Sequence, residues 1–280
     1  MKAWPAPAKI NHFLHVVGRR ADGYHLLQTV FGFLDYGDTL YFDVREDGQV
    51  ILDNPLPGVP ADSDLTVRAA RLLQARTGVK LGASIRLEKR LPMGGGLGGG
   101  SSDAATTLLA LNHLWQAGLS RHELEMLGLQ LGADVPIFVH GHAAFAEGVG
   151  EAFTDVVLPE AWYLVLIPPV GVPTQAIFGA PELRRDTPVI APSDWHPGMG
   201  GNDLEPVAVG LYPQVGAYLD LLRPYGAPRM SGSGACVFVA FANEADARAA
   251  QTELPVDVRN FVAYGLTEHP LSELFSWILS

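Results

Sequence analysis

The sequence predicts an α+β fold in two domains, and three observations carry that prediction. Strand-like and helix-like segments mix along the chain, 48% of residues are apolar against 18% charged, and the pattern changes character near residue 155. The 280 residues suit two domains, 1–155 and 156–280. With 31 Gly and 21 Pro the chain exceeds the average share of both, which predicts many turns or specialised loops. A formal net charge of −11 argues against broad binding to nucleic acid or to an anionic membrane, so an anionic ligand must be held by local groups. The longest apolar run, Ala235 to Ala242, is far short of the ~20 residues that span a bilayer. No lysine-led apolar stretch near Met1 reads as a secretory signal, and a cytoplasmic protein is expected. The single cysteine, Cys236, supplies neither an internal disulfide nor a zinc cluster.

Ile10 to Val17 reads as a strand, Gly18 to Gly23 as a turn centred on Asp22-Gly23, and Leu26 to Phe33 as the returning strand. A period of two puts Lys9 and Asn11 on one face of the first strand. Asp53 to Asp64 is a loop rich in Asp, Pro and Gly. Leu65, Ala69, Leu72 and Leu73 then mark a helix over 65–75, and Ala83 to Leu87 a strand. Ala104, Leu108, Leu111 and Trp115 form one stripe of an amphipathic helix, with Ser101, Ser102 and Asp103 as its expected N-caps. A helix from Arg121 stops near Gly132, and Asp134 before Pro136 falls at the entrance of another. Beyond that lie a strand over Tyr163 to Ile167, a short helix around Thr174 to Phe178 and a long loop over 181–202. One helix over Leu204 to Leu222 follows, then a strand over Cys236 to Phe241, a helix over Ala245 to Leu254 and a strand over Arg259 to Tyr264. The tail carries Leu271, Leu274, Phe275 and Ile278 at helical spacing, a pattern expected to dock on the protein's own surface.

The stretch richest in chemistry runs from Pro92 and Met93 through Gly94, Gly95, Gly96, Leu97, Gly98, Gly99 and Gly100 to Ser101 and Ser102. Six glycines in seven positions free the backbone N–H groups to line a concavity. The helix that follows adds unpaired donors and the positive end of its dipole, so the stretch reads as a phosphate cradle. A flexible linker is the bland alternative, but a strand on one side and a helix on the other argue against it. Gly94, Gly96 and Gly99 also match the dinucleotide fingerprint, yet no acidic residue follows about twenty residues on, as that motif requires. A Walker A loop is excluded because Ser101-Ser102 stands where Lys-Ser or Lys-Thr is needed.

Lys9 reads either as a snorkelling surface lysine or as a functional cation, and Asp134 either as a helix cap or as a reactive carboxylate. Together they gain meaning: phosphoryl transfer needs an aligned hydroxyl, a carboxylate to take or orient its proton, and a cation to offset charge. His140-Gly141-His142 lacks a companion at a metal-ligand spacing and reads as a turn.

Five stretches, Pro5-Ala6-Pro7-Ala8-Lys9-Ile10-Asn11, Arg19-Arg20-Ala21-Asp22-Gly23-Tyr24-His25, Leu91 to Ser102, Gly132-Ala133-Asp134-Val135-Pro136 and Met230-Ser231-Gly232-Ser233-Gly234-Ala235-Cys236, resemble the GHMP kinases. The resemblance runs from Trp4 to about Ala263. Asp22 to His25 with Pro173-Thr174 and Phe178 narrows it to the branch whose acceptor is a cytidine diphosphate-linked methylerythritol of the non-mevalonate isoprenoid route.

That resemblance implies a fold with a ribosomal S5 domain 2-like N-terminal domain and a ferredoxin-like C-terminal domain. It implies ATP as phosphoryl donor, Mg²⁺ as its companion, small-molecule partners only and a monomer or weak homodimer. By the same resemblance Lys9 and Asp134 are catalytic. Lys89, beside the adenine, and the loop Pro92 to Ser102 hold the nucleotide. Asn11, Tyr24, His25, Thr174, Phe178, Gly232 and Ser233 face the acceptor substrate. The family it resembles usually has Asn-Leu where this chain has Asp64-Leu65, a departure from the pattern at a position that the resemblance places against the adenine or ribose. Sister kinases acting on homoserine, mevalonate or a sugar are the nearest alternative, and a non-catalytic dinucleotide- or RNA-binding protein the more distant one.

Overall fold

A computed structural model describes residues 2–272 of the chain, so Leu274, Phe275 and Ile278 of the apolar tail lie outside the described residues. The first two strands are much longer than their apolar runs: β1 spans Trp4–Arg19 and β2 spans His25–Arg45, antiparallel partners along almost their whole length. Their register slips between Pro7 and Ala8 and again between Asn11 and Phe13. Irregularities of this kind bend a strand and re-aim its side chains, and these two bracket Lys9, Ile10 and Asn11. Gly37 on β2 is what lets the strands approach at the first slip, since a Cβ there would lie 2.2 Å from the Ala6 carbonyl oxygen.

β2 is the spine of one continuous sheet. It pairs with β1, with β4 (Gly82–Glu88), with β5 (Ala144–Glu147) and with the end of β10 (Asn260–Leu266). β10 also pairs with β7 (Trp162–Leu166), which continues to β9 (Val237–Phe241) and β8 (Arg229–Met230). Through β10 the second half of the chain is hydrogen-bonded to the first. β3 (Val50–Leu52) and β6 (Ala152–Asp155) are short edge strands on β4 and β5. The turn-rich run around residues 144–155 carries no clear alternating pattern, which hid β5 and β6.

Helices cover one face of the first half: α1 (Leu65–Thr77), α2 (Gly99–Leu114), α3 (Arg121–Leu131) and α4 (Val135–His140). α2 was expected to be amphipathic, but every residue from Ser102 to Asn112 is buried. The reason is position: α2 lies in the middle of the layer, against α1, α4 and the sheet, so no face of it meets water. Its core includes Trp4, Phe33, Leu73, Leu108 and Phe138. Each such large apolar side chain contributes roughly 1.5–3 kcal/mol on full burial.

The second half holds α5 (Thr174–Gly179), α6 (Glu205–Leu211), α7 (Pro213–Leu222) and α8 (Glu244–Thr252). The single helix expected over 204–222 is therefore two. Tyr212 leaves the helical region at φ −132° because Pro213 follows, and proline disfavours helical geometry in the residue before it. A second core gathers Leu164, Val215, Leu219 and Val237, and a third, with Ala8, Ile10, Leu91, Leu97, Val165, Cys236 and Phe238, draws on both halves and lies directly behind the glycine loop.

Candidate active site

Between the two halves opens a cavity of about 530 Å³. Its wall brings together Lys9, Asn11, Lys89, the loop residues Pro92 to Gly96 and Gly98 to Ser101, Asp134, Thr174, Phe178, Gly232 and Ser233. Four expected residues are not part of that wall: Tyr24, His25, Leu97 and Ser102. Tyr24 is 65% exposed on the turn after β1, and Leu97 points into the third core. Ser102 is fully buried inside α2, which begins three or more residues earlier than its expected caps suggested.

The cap of α2 is Gly98, in the left-handed region at φ +72°, so Ser101 and Ser102 fall inside the first turn and Asp103 opens the second. Space as well as conformation demands glycine here: a Cβ would lie 2.9 Å from the Phe138 ring and 3.0 Å from Lys9 Cγ. Gly96 is equally constrained, at φ +75° with a would-be Cβ 2.1 Å from the Ser231 carbonyl oxygen. Gly96 lets two backbones approach each other closely, and Gly98 leaves room for the Lys9 and Phe138 side chains.

Lys9 is 2% exposed, and a buried ammonium must be partnered. Its Nζ donates to Asn11 Oδ1 at 2.7 Å and lies 3.2 Å from Asp134 Oδ2 and 5.3 Å from the Phe31 ring centre. Its backbone N–H donates to the Leu97 carbonyl at 2.9 Å, which ties the glycine loop to β1 at the same residue. The snorkelling reading of Lys9 is thereby replaced. Asp134 stands at the cap position of α4, yet its side chain accepts no capping hydrogen bond. The carboxylate is free for the cavity, with its side chain 39% exposed. Asn11 Nδ2 in turn donates to Thr29 Oγ1 at 2.9 Å, which fixes the amide's orientation.

Lys89 is held differently. Its Nζ donates at 2.6 Å both to Asp38 Oδ2 and to Asp103 Oδ2, and Asp38 Oδ1 accepts from the backbone N–H groups of Arg90 and Leu91 at 2.6 and 2.8 Å. This cluster fastens the start of the glycine loop to the N-terminal part of α2. Burial pushes the Asp103 carboxyl up to about 8, with Asp38 adding to the effect and Lys89 opposing it. Burial works against the Lys89 ammonium, but the two carboxylates outweigh it and raise its pKa. Asp38 lies in an ordinary strand and Asp103 reads as a cap, so neither was signalled by spacing. Asp64, noted in the sequence only as the end of a loop and as a difference from the family pattern, is the cap of α1: its Oδ1 accepts from the Thr66 N–H and hydroxyl at 2.8 and 2.5 Å.

The turn Ser231 to Gly234 closes the cavity from the second half. Ser231 Oγ donates to the Gly96 carbonyl at 2.8 Å, Ser233 Oγ shares a hydrogen bond with Thr174 Oγ1 at 2.8 Å, and a Cβ on Gly232 would lie 3.3 Å from Lys9 Nζ. Asn202 holds this turn from behind: its Nδ2 donates to the carbonyls of Met230 and Gly232, both at 2.8 Å. Asn202 ends the long loop over 181–202, which docks on β1 through Asp203, whose Oδ2 accepts from the Val16 N–H at 2.7 Å.

His140 ends α4. Its companions come from elsewhere in the chain: Asp155 Oδ1 at 2.6 Å from Nε2 and Glu125 Oε1 at 3.4 Å from Nδ1. Among the described residues no group of three or more metal-ligating side chains converges, and no helix is long and apolar enough to cross a membrane.

Comparison with known proteins identifies the family and the fold. The family model for the GHMP kinases N terminal domain matches residues 64–142, and that for the GHMP kinases C terminal matches 191–257. A 4-diphosphocytidyl-2-C-methyl-D-erythritol kinase of Dechloromonas aromatica (strain RCB) is 63% identical over 273 residues, 97% of this chain and 99% of the relative. One from Thiobacillus denitrificans is 60% identical, covering 96% and 97%. The crystal structure of a 4-(cytidine 5'-diphospho)-2C-methyl-D-erythritol kinase superposes with a TM-score of 0.79 at 34% identity, covering 94% of this chain and 99% of that one. A homoserine kinase from Cytophaga hutchinsonii, at 15% identity and a TM-score of 0.70, shares the fold alone. The chain belongs to the GHMP kinases and, within them, to the 4-diphosphocytidyl-2-C-methyl-D-erythritol kinases.

Proposed function

We propose that this chain transfers the γ-phosphoryl group of ATP to the 2-hydroxyl of 4-diphosphocytidyl-2-C-methyl-D-erythritol, with Asp134 and Lys9 as its catalytic residues. The observation that carries this reading is the 3.2 Å approach of Lys9 Nζ to Asp134 Oδ2, made at a lysine whose own backbone N–H holds the glycine loop. The acceptor hydroxyl gives its proton to Asp134 as its oxygen bonds to the γ-phosphorus. The bond from that phosphorus to the bridging β–γ oxygen breaks, and ADP leaves. Lys9 offsets the negative charge that gathers there, and the N–H groups of Gly94 to Ser101 hold the phosphates.

The apolar side chains of Leu56, Val59, Leu65 and Pro92 border the cavity together with Lys89 and suit the adenine. Asn11, Thr174, Phe178, Gly232 and Ser233 suit the acceptor. Tyr24 and His25, outside the wall, are assigned to the cytidine rim.

The wall's two lysines already face carboxylates, so they leave the charge of a triphosphate largely uncompensated. That fits Mg²⁺ carried in on the phosphates, for which Ser101 and Asp134 would offer side-chain oxygens; when bound, the ion would supply neutralisation of the phosphate charge. The test is phosphorus NMR of the purified protein with ATP, Mg²⁺ and separate alcohols. A new phosphomonoester resonance is expected with the cytidyl substrate and not with homoserine, mevalonate or galactose. A signal from one of those three alone would overturn the reading.

A further inference from the structure

His25, the first residue of β2, packs its ring against Phe178 of α5, with centroids 4.9 Å apart and planes inclined by 32°. Beside the pair lies Arg185, on the long loop after α5. Its Nε–H donates to His25 Nε2 at 3.1 Å. Three of its other N–H groups donate to carbonyls at the end of α5 and just beyond: Leu183 at 2.9 Å, Phe178 at 3.0 Å and Ala180 at 2.6 Å. Arg185 therefore holds the imidazole and the phenyl ring as one unit.

The donor's identity settles a point about the imidazole. A guanidinium has N–H groups and no lone pair to offer, so the nitrogen facing it must be an acceptor. An imidazole with a lone pair at Nε2 is neutral and carries its one proton on Nδ1. The charges around the ring act in the same direction. Burial first, then Arg185 and Arg19, hold His25 below its ordinary value, so near neutrality the ring does not take up the second proton that would abolish the acceptor.

We propose that Arg185 is a specificity-determining positioning residue: by claiming Nε2 it makes His25 a fixed Nδ1–H donor, which favours a pyrimidine offering a ring lone pair over one offering a ring N–H. Cytosine has an unprotonated N3, whereas N3 of uracil carries hydrogen. A donor set against that hydrogen leaves two polar groups unpaired, and sites built on a required hydrogen bond reject such analogues strongly. The inference rests on the reading above that the cytidine end of the substrate lies at His25 and Phe178.

Two measurements test it. In ¹⁵N NMR of the histidine-labelled wild-type protein, His25 is expected to show a protonated Nδ1 and an unprotonated Nε2. In kinetics, the wild type is expected to prefer the cytidyl substrate over its uridyl counterpart by about tenfold or more in kcat/KM, as hydrogen-bond-dependent discrimination predicts. Arg185→Met should bring that ratio toward unity, chiefly by raising KM for the cytidyl substrate and not KM for ATP. Arg185→Lys, which keeps a donor, should restore part of the ratio. A proton on Nε2 of His25 in the wild type overturns the proposal, and so does an undiminished ratio in a folded Arg185→Met protein. Should that variant fail to fold, the wild-type spectrum and Arg185→Lys decide. A wild type inactive on the cytidyl substrate would instead sink the functional reading, while the spectrum still reports the tautomer by itself.

Discussion

Lys9 and Asp134 meet at 3.2 Å although one lies inside the first strand and the other at the entrance of the fourth helix. The contact joins a buried cation to a carboxylate that is open to the cavity, and it does so beside the loop that would hold a triphosphate. If Asp134 takes the hydroxyl proton, Asp134→Asn should lower kcat by about 10²–10⁴-fold, the usual share of general acid–base catalysis, with little change in KM for ATP. The amide keeps the shape but removes the charge that partners the buried Lys9, so some loss of melting temperature accompanies it, and the split between kcat and KM for ATP carries the test. Steady-state kinetics check it; turnover within a few-fold of the wild type would remove Asp134 from the role.

The glycine loop contains two kinds of glycine, and they can be told apart by substitution. Gly94 and Gly96 both have positive φ, at +65° and +75°, so alanine at either carries a left-handed penalty of roughly 1–2 kcal/mol. At Gly94 nothing lies within 4 Å of the added carbon, whereas at Gly96 it would meet the Ser231 carbonyl at 2.1 Å. Gly96→Ala should therefore lower both the melting temperature and kcat well beyond Gly94→Ala, because the loop and the Ser231–Gly234 turn must part. Equal effects in thermal denaturation and turnover would show that the two backbones do not touch.

Lys89 sits between two carboxylates, and the cluster predicts a penalty that depends on pH. Removing one partner of a buried ion pair commonly costs about 3–5 kcal/mol, since the other charge is left unpaired. Without the ammonium, burial and the mutual repulsion of Asp38 and Asp103 both favour the protonated carboxyl, and that form is reached as pH falls. A group whose folded pKa lies above its unfolded one gives its stability at low pH and loses it as pH rises. Lys89→Met should accordingly be more destabilised, relative to wild type, at pH 8 than at pH 5. Urea midpoints at the two values check it, and a penalty independent of pH would count against the cluster.

Much of this site was legible in the sequence because its chemistry is concentrated in short runs. Lys9 and Asn11 share a face by the period of two, and Asp134 before Pro136 marks a helix entrance; the structure puts each where that arithmetic places it. What escaped the sequence depends on packing. The cap of α2 moved from serine to Gly98 because the loop must pass close to Lys9 and Phe138, and no propensity encodes that approach. Asp38, Asn202 and Arg185 were invisible for another reason: each sits in an unremarkable stretch and gains its partners from residues remote in the chain. The burial of α2 on all sides likewise follows from its place between two helices and a sheet and not from its own pattern.

His140 offers a titration whose sign can be fixed in advance. Burial lowers its pKa, but hydrogen bonds to Glu125 and Asp155 outweigh that and hold it above the ordinary histidine value. His122, 3.7 Å from the other oxygen of Glu125, and the ring of His142, 5.9 Å away, also belong to its titratable surroundings. A histidine whose folded pKa exceeds the unfolded 6.5 contributes stability that is complete below pH 6.5 and disappears as pH rises through the folded value. The stability difference between wild type and His140→Gln should thus be largest near pH 6 and shrink toward pH 9. Denaturant unfolding across that range measures it. A difference that grew with pH would mean that the imidazole is neutral between the two carboxylates, and that the end of α4 is held by packing alone.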